Sequence, residues 1–73
     1  MLSLRQQKLL HLLMQEEEAL TGADLASVLQ VTSRTIRSDV KMLADKLQEN
    51  GANIVLKRGQ GYELIIEDYK YFR

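Results

Sequence analysis

The chain has 73 residues, ten basic and ten acidic side chains, no cysteine and one histidine. This length allows one small domain, and the lack of cysteine excludes disulfides, thiolate metal sites and cysteine nucleophiles. No apolar run reaches the roughly 18 residues needed to span a bilayer, and the N-terminus lacks the form of a signal peptide. We therefore expect a soluble, cytoplasmic domain with no metal or other cofactor. Nothing in the sequence resembles a catalytic constellation, so we expect no enzyme.

Charged residues are unevenly distributed, although the formal net charge of the whole chain is zero. Residues 31–61 contain six basic and three acidic side chains, which gives this segment a local charge of +3. The compensating acidic residues lie before and after this basic centre. A clustered positive charge is typical of a surface that binds nucleic acid, whereas neutrality of the whole chain argues weakly against such a partner.

The N-terminal part of the chain predicts a helix from Ser3 to about Gln15 or Glu16. Its apolar residues recur at the spacing that places them on one helix face. These residues are Leu9, Leu10, Leu13 and Met14. Three consecutive glutamates, residues 16–18, oppose the helix dipole at this end. We interpret them as a solvated helix exit and not as a metal or catalytic carboxylate site.

A second, shorter helix is predicted after Thr21. Thr21 and Asp24 have the spacing of a capping box, in which each side chain accepts a hydrogen bond from the other residue's backbone N–H. The helix should stop near Gln30, because a β-branched residue and further cap candidates follow it. Its expected inward-facing residues are Leu25, Val28 and Leu29.

A third helix is predicted from Ser33 to about Glu49 or Asn50, with Thr32 as its N-cap. Apolar residues at spacings of four, three and four should form its buried stripe. They are Ile36, Val40, Leu43 and Leu47. This stripe sets the rotation of the helix and thereby identifies the face that should meet solvent.

The solvent face of the third helix is polar, and basic at its start. At about 100° per residue, the positions opposite the stripe and on its shoulders can be assigned directly. Those opposite are Arg34, Ser38, Lys41 and Asp45, with Arg37 on one shoulder and Thr35 and Met42 on the other. We expect Asp39 and Asp45 to pair with nearby cations on the surface of the same helix.

A hairpin is predicted after the third helix. Gly51 suits the left-handed backbone that is common just after a helix end. Two β-like runs follow, NIVLK at residues 53–57 and YELII at residues 62–66, with RGQG at residues 58–61 as the turn between them. The sequence therefore predicts an α+β fold, a winged helix-turn-helix of three helices and a two-stranded hairpin.

Two short helices joined by a tight turn, the second with exposed Arg, Ser and Thr near its start, suit the major groove of DNA. The hairpin tip, with Lys57, Arg58 and Gln60, would add a contact to the DNA backbone or minor groove. The same residues also allow simpler interpretations without DNA. An arginine-bearing face can be merely solvated, and charged residues at a hairpin tip protect against aggregation. A winged helix can also act as a protein-interaction module without touching DNA.

Residues 31–43 (VTSRTIRSDVKML) and 51–64 (GANIVLKRGQGYEL) together resemble the N-terminal domain of bacterial transcriptional regulators with phosphotransferase-system regulation domains. This family includes BglG-type antiterminators and mannitol-operon activators, and the resemblance covers about residues 4–66. It implies double-stranded DNA as the partner and control of sugar uptake or metabolism genes. The DNA-contacting residues that it implies are Thr32, Ser33, Arg34, Thr35, Arg37, Ser38 and Lys41, with Lys57, Arg58 and Gln60 on the wing. Biotin-ligase repressors share the GxGY wing and are the alternative family.

Regulators of this family are much longer than 73 residues. The resemblance implies that the full-length protein is a homodimer and that phosphotransferase-system proteins act on its later domains. We expect residues 1–66 to form the DNA-binding domain and residues 67–73 to begin a linker or a further element. Three aromatic residues of this tail either meet a neighbouring domain or fold back onto the first helix. They are Tyr69, Tyr71 and Phe72.

Overall fold

Three helices precede a two-stranded antiparallel hairpin, so the predicted α+β fold of a winged helix-turn-helix is confirmed. The helices are α1 (Leu4–Gln15), α2 (Gly22–Leu29) and α3 (Ser33–Gln48). The strands of the hairpin are β1 (Ala52–Lys57) and β2 (Gly61–Ile66). The helix-turn-helix is formed by α2 and α3, and the hairpin that follows is the wing.

The computed structural model describes residues 2–15 and 18–67 of the chain. The three aromatic residues of the tail lie outside these described residues, and so do two of the three consecutive glutamates after α1. Within the described ranges, no helix is long and apolar enough to cross a membrane.

The first two helices each begin with a reciprocal pair of caps. The predicted box at α2 is confirmed: the Thr21 hydroxyl accepts from the Asp24 N–H at 3.0 Å, and the Asp24 carboxylate accepts from the Thr21 N–H at 3.4 Å. An equivalent box at α1 was not predicted. There the Ser3 hydroxyl accepts from the Gln6 N–H at 3.1 Å, and the Gln6 side chain accepts from the Ser3 N–H at 2.9 Å. Both boxes satisfy N–H groups that a helix start leaves without an intrahelical partner.

One hydrophobic core lies between the helices and the hairpin. Its largest fully buried side chains are Leu9, Leu25, Ile36 and Leu43. The stripe predicted on the third helix is confirmed, because Ile36, Val40, Leu43 and Leu47 are each at most 7% exposed. Burial of this stripe fixes the rotation of α3, so the opposite face of the helix meets solvent.

The prediction for the inner face of α2 was wrong at one position. Val28 is 62% exposed, whereas the smaller Ala26 is buried beside Leu25. At about 100° per residue, the inner face of this helix is centred between residues 25 and 26, and residue 28 falls outside it. Val28 instead lines an open groove together with Leu4 and Leu12 of α1.

The C-terminal end of α3 differs slightly from the prediction. The helix ends at Gln48, one or two residues early, and Glu49 is its C-cap with a right-handed backbone. Gly51 has a φ of +77°, so the predicted left-handed glycine is confirmed. It lies in the loop before β1 and not directly at the helix end, which is within the usual variation of helix boundaries.

Two side-chain contacts join the first turn of α1 to α3. The Arg5 guanidinium donates two hydrogen bonds to the Asp39 carboxylate, the longer of them 3.1 Å. Seven residues further along α3, the Lys46 ammonium donates to the side-chain oxygen of Gln6 at 3.1 Å. The hydrogen bond that Arg5 donates to Asp39, and secondarily the negative charge of Asp39, raises the pKa of Arg5. We call these four residues the α1–α3 clasp.

The predicted local pairing of the two aspartates on α3 was therefore wrong. Asp39 has only an 8% exposed side chain and pairs with a residue of another helix. No basic residue lies three or four positions from it on α3, so a same-helix partner was not within reach. Asp45 is exposed and makes no ion pair in the described part of the chain. Its neighbour Lys41 precedes it by four residues, which is the weaker order for such a pair.

A backbone bridge attaches the wing to the segment before α2. The Leu20 N–H donates to the Tyr62 carbonyl at 2.9 Å, and the Tyr62 N–H donates to the Leu20 carbonyl at 2.7 Å. Gly61 permits this approach, because a Cβ at that position would lie 2.3 Å from the Leu20 carbonyl oxygen. Its φ of +115° also lies in the region that favours glycine. β2 is thus bonded on both edges, to β1 and to Leu20.

The tip of the wing is a tight turn. The Gln60 N–H donates to the Lys57 carbonyl at 3.0 Å and closes the turn. Gly59, at the third position of this turn, has a φ of +77° and open space around it. A positive φ at this position is typical of a type II turn and favours glycine. The turn leaves the side chains of residues 58 and 60 exposed.

Candidate nucleic-acid interface

The start of α3 presents a positively charged face to solvent. Five of the predicted contact residues on this helix are exposed: Ser33, Arg34, Arg37, Ser38 and Lys41. The acidic residue in this stretch, Asp39, is buried against Arg5. The exposed charge over residues 33–41 is therefore entirely positive. Ser33, Arg34 and Arg37 also line a small open depression.

Two further predicted contact residues, Thr32 and Thr35, stabilise the start of α3. The Thr32 hydroxyl accepts a hydrogen bond from the Thr35 N–H at 3.1 Å. It also lies 3.0 Å from the Thr35 hydroxyl, and either oxygen can be the donor. Thr35 is partly buried, unlike the basic residues on this face. These hydroxyls hold the helix start, where unpaired N–H groups and the helix dipole attract anions.

The solvent face of α3 is held in place from the other sides of the helix. α2 and β1 both contact α3, and the α1–α3 clasp attaches α1 to it at Asp39 and Lys46. Because these contacts arise from a buried stripe and from paired polar groups, the orientation of the basic face is set before any ligand binds. Such preorganisation reduces the ordering cost of binding.

The wing carries the remaining predicted residues, and they are not equivalent. Arg58 and Gln60 are exposed at the turn. The Lys57 ammonium instead lies 2.5 Å from a carboxylate oxygen of Glu63 on the neighbouring strand. The predicted residues are thus gathered into two groups, one at the start of α3 and one at the wing tip, and one member of the second group is already paired.

Glu63 and Leu20 are two residues that the sequence analysis did not identify. Glu63 could have been found from the hairpin register, since a turn at 58–60 places it two positions diagonal to Lys57 on the same face. Leu20 carried no comparable signal, because its role comes from a backbone bridge to a distant strand. In the described ranges, no cluster of His, Cys, Asp or Glu is suited to holding a metal ion.

Comparison with known proteins agrees with this arrangement. Residues 5–63 match the family model of the HTH domain. The whole chain is 42% identical over 73 residues to the probable licABCH operon regulator of Bacillus subtilis (strain 168), of which it covers 11%. Over 66 residues, 88% of the chain, it is 38% identical to the transcriptional regulator ManR of the same organism, of which it covers 10%. No solved structure matches the chain.

The chain spans about a tenth of the length of these curated relatives. Both relatives are named as regulators, so the predicted resemblance to bacterial transcriptional regulators is confirmed. The family match covers the helices and most of the wing, which are the elements that carry the basic residues described above. The chain therefore belongs to the HTH-domain family, as a winged helix-turn-helix DNA-binding domain of the transcriptional-regulator type.

Proposed function

We propose that this domain recognises a specific sequence in double-stranded DNA, with the start of α3 in the major groove and the wing on the backbone. One observation carries the proposal: the exposed charge over residues 33–41 is entirely positive and lies on a helix whose opposite face is buried. The major groove admits one α-helix, and residues near the helix start reach the base edges.

The residues divide into two roles. Arg34 and Arg37 lie in the first two turns of α3, where a guanidinium can donate two hydrogen bonds to the edge of a guanine. Ser33, Ser38 and Lys41 are suited to bases or phosphates nearby, and the helix start itself favours a phosphate. In this scheme Thr32 and Thr35 act through the shape of the helix start, since their hydroxyls already bind each other.

At the wing, Arg58 and Gln60 are suited to sugar-phosphate contacts, which position a protein on DNA without reading its sequence. A single copy offers few phosphate contacts. We therefore expect binding near the non-specific range, roughly 10⁻⁴ to 10⁻⁶ M at physiological salt, with a strong salt dependence. Linking two copies would tighten binding, because the second contact becomes intramolecular.

The role in a longer protein follows from the resemblance. We assign DNA binding to residues 1–66 and the beginning of a linker or of a further element to residues 67–73, within a cytoplasmic, homodimeric regulator of sugar uptake or metabolism genes. Phosphotransferase-system proteins would act on its other domains. The proposal includes no catalytic step and no cofactor. It is supported by the names of the two relatives, an operon regulator and a transcriptional regulator.

The test begins with selection of preferred duplexes from a random library, followed by competition between the selected and a scrambled duplex. Arg34→Ala and Arg37→Ala should each cost about 1–3 kcal/mol on the selected duplex when the arginine reads a base, and little on the scrambled one. Arg58→Ala removes the same charge and is the matched control. It should weaken both duplexes equally and lower the salt slope by about 1.

Two results would contradict the proposal in different ways. Failure to enrich or bind any duplex, even at low ionic strength, would favour a protein-interaction module over a DNA-binding domain. If both α3 variants lose affinity equally on the two duplexes and only Arg58→Ala changes the sequence preference, then the wing recognises the DNA sequence and α3 only positions the protein on the DNA.

A further inference from the structure

An ion pair crosses the outer face of the wing. The Lys57 ammonium lies 2.5 Å from a Glu63 carboxylate oxygen, and the two side chains are 46% and 26% exposed. In the hairpin register Lys57 stands opposite Gly61, and Glu63 stands opposite Val55. Alternate residues of a strand share a face, so Glu63 reaches Lys57 diagonally across the two strands.

The pair changes the charge that the wing can offer to DNA. Residues 52–66, all of which the structure describes, contain two basic side chains, Lys57 and Arg58, and one acidic side chain, Glu63. Arg58 is exposed and makes no ion pair within this hairpin. The wing tip therefore presents one uncompensated positive charge where the sequence supplies two.

We propose that Glu63 limits the affinity of the wing for DNA by holding the Lys57 ammonium away from the phosphates. This inference rests on the proposed DNA binding. An exposed ion pair is weak, so a phosphate can compete for the ammonium. Even when Lys57 binds both groups, the Glu63 carboxylate remains close to the phosphate and repels it. Either way, contact through Lys57 is weaker than contact through an unpaired lysine.

The size of the effect follows from counterion release. One additional phosphate contact steepens the dependence of log affinity on log salt by about 0.9. With the contribution vanishing near ~1 M salt, this slope corresponds to binding that is about fifteenfold tighter at ~50 mM salt and about fourfold tighter at ~200 mM. Because phosphates carry no sequence information, the gain should be the same on any duplex.

The experiment compares Glu63→Gln with the wild-type chain on a short random-sequence duplex, over a series of salt concentrations. Glutamine keeps the shape of the side chain and removes its charge. Glu49→Gln is the matched control, since it makes the same change of net charge on an exposed residue at the far end of α3. Lys57→Gln, alone and combined with Glu63→Gln, completes a double-mutant cycle. Urea midpoints confirm that every variant is folded.

We expect Glu63→Gln to tighten binding by the factors above and to steepen the salt slope, with a smaller gain and an unchanged slope for Glu49→Gln. In the double variant, Lys57→Gln should abolish the gain in affinity that Glu63→Gln produces. On its own, Lys57→Gln should change the affinity of the wild-type chain little. Equal gains for the two glutamate variants, or a gain that survives in the double variant, would overturn the role of Glu63. So would wild-type affinity and slope for Glu63→Gln. Absence of binding by every protein, wild type included, would overturn the DNA-binding proposal itself.

Discussion

Substitution of Gly61 by alanine should be far more damaging than substitution of Gly59, although both glycines have positive φ angles. An added Cβ at Gly61 would lie 2.3 Å from the Leu20 carbonyl oxygen and 2.6 Å from the Thr21 nitrogen, so backbone must move. An added Cβ at Gly59 meets nothing within 4 Å. The two positions therefore share a conformational cost, but only Gly61 adds a steric cost.

The two substitutions should differ in the free energy of unfolding that they cost. Holding a non-glycine residue in an unfavourable backbone region costs about 1–3 kcal/mol, and forcing additional atoms into a filled space costs typically about 1–3 kcal/mol more. Gly61→Ala should thus lose about 2–6 kcal/mol, against about 1–3 kcal/mol for Gly59→Ala. A domain of this size has only roughly 4–11 kcal/mol of stability in total. The first variant should be marginally folded and the second clearly folded.

Urea unfolding followed by circular dichroism measures both free energies of unfolding. Gly59→Ala is the matched control, because it tests a positive φ in the same hairpin without the close approach. Equal urea midpoints for the two variants would refute the reasoning. They would mean that the Leu20 backbone does not lie against Gly61, and that the bridge between the wing and the helix-turn-helix is wrong.

Four other substitutions, one of them with a matched control, test the placement of α3. Ile36→Ala and Leu47→Ala, at the two ends of the buried stripe, should each cost about 2–5 kcal/mol in urea unfolding, and wild-type midpoints would show that the helix is rotated wrongly. Asp39→Asn should lower the urea midpoint, because it weakens the clasp to α1, whereas Asp45→Asn on the exposed face should leave the midpoint nearly unchanged; equal effects would contradict the clasp. Thr32→Ala should cost about 1 kcal/mol through loss of the N-cap, and an unaltered thermal midpoint would show that the cap contributes nothing.

The features that could be predicted from the sequence are those determined by neighbouring residues. The cap at Thr21 depends on a residue three positions away, and the stripe from Ile36 to Leu47 depends on helical periodicity. The glycine turn of the wing and the element order are likewise local. For the same reason the basic face of α3 could be assigned correctly to solvent, since it follows from the position of the stripe.

The errors and omissions concern contacts between distant segments. Asp39 has no basic neighbour on its own helix, and its partner Arg5 lies on another helix. Whether Ala26 or Val28 completes the inner face of α2 depends on how α1 and α3 meet that helix. The pairing of Lys57 was missed because it requires the strand register. Composition and periodicity do not contain this information.

The backbone bridge between Leu20 and Tyr62 also bears on the order in which the chain folds. These two residues stand before and after the entire helix-turn-helix in the sequence, so their two hydrogen bonds close a loop that contains α2, α3 and β1. Closing a long loop costs conformational entropy before its contacts contribute stability, and such contacts slow folding. We infer that local helix and hairpin formation precede this closure. Once this loop is closed, detachment of the wing and opening of the helical unit occur together, as one cooperative unfolding transition.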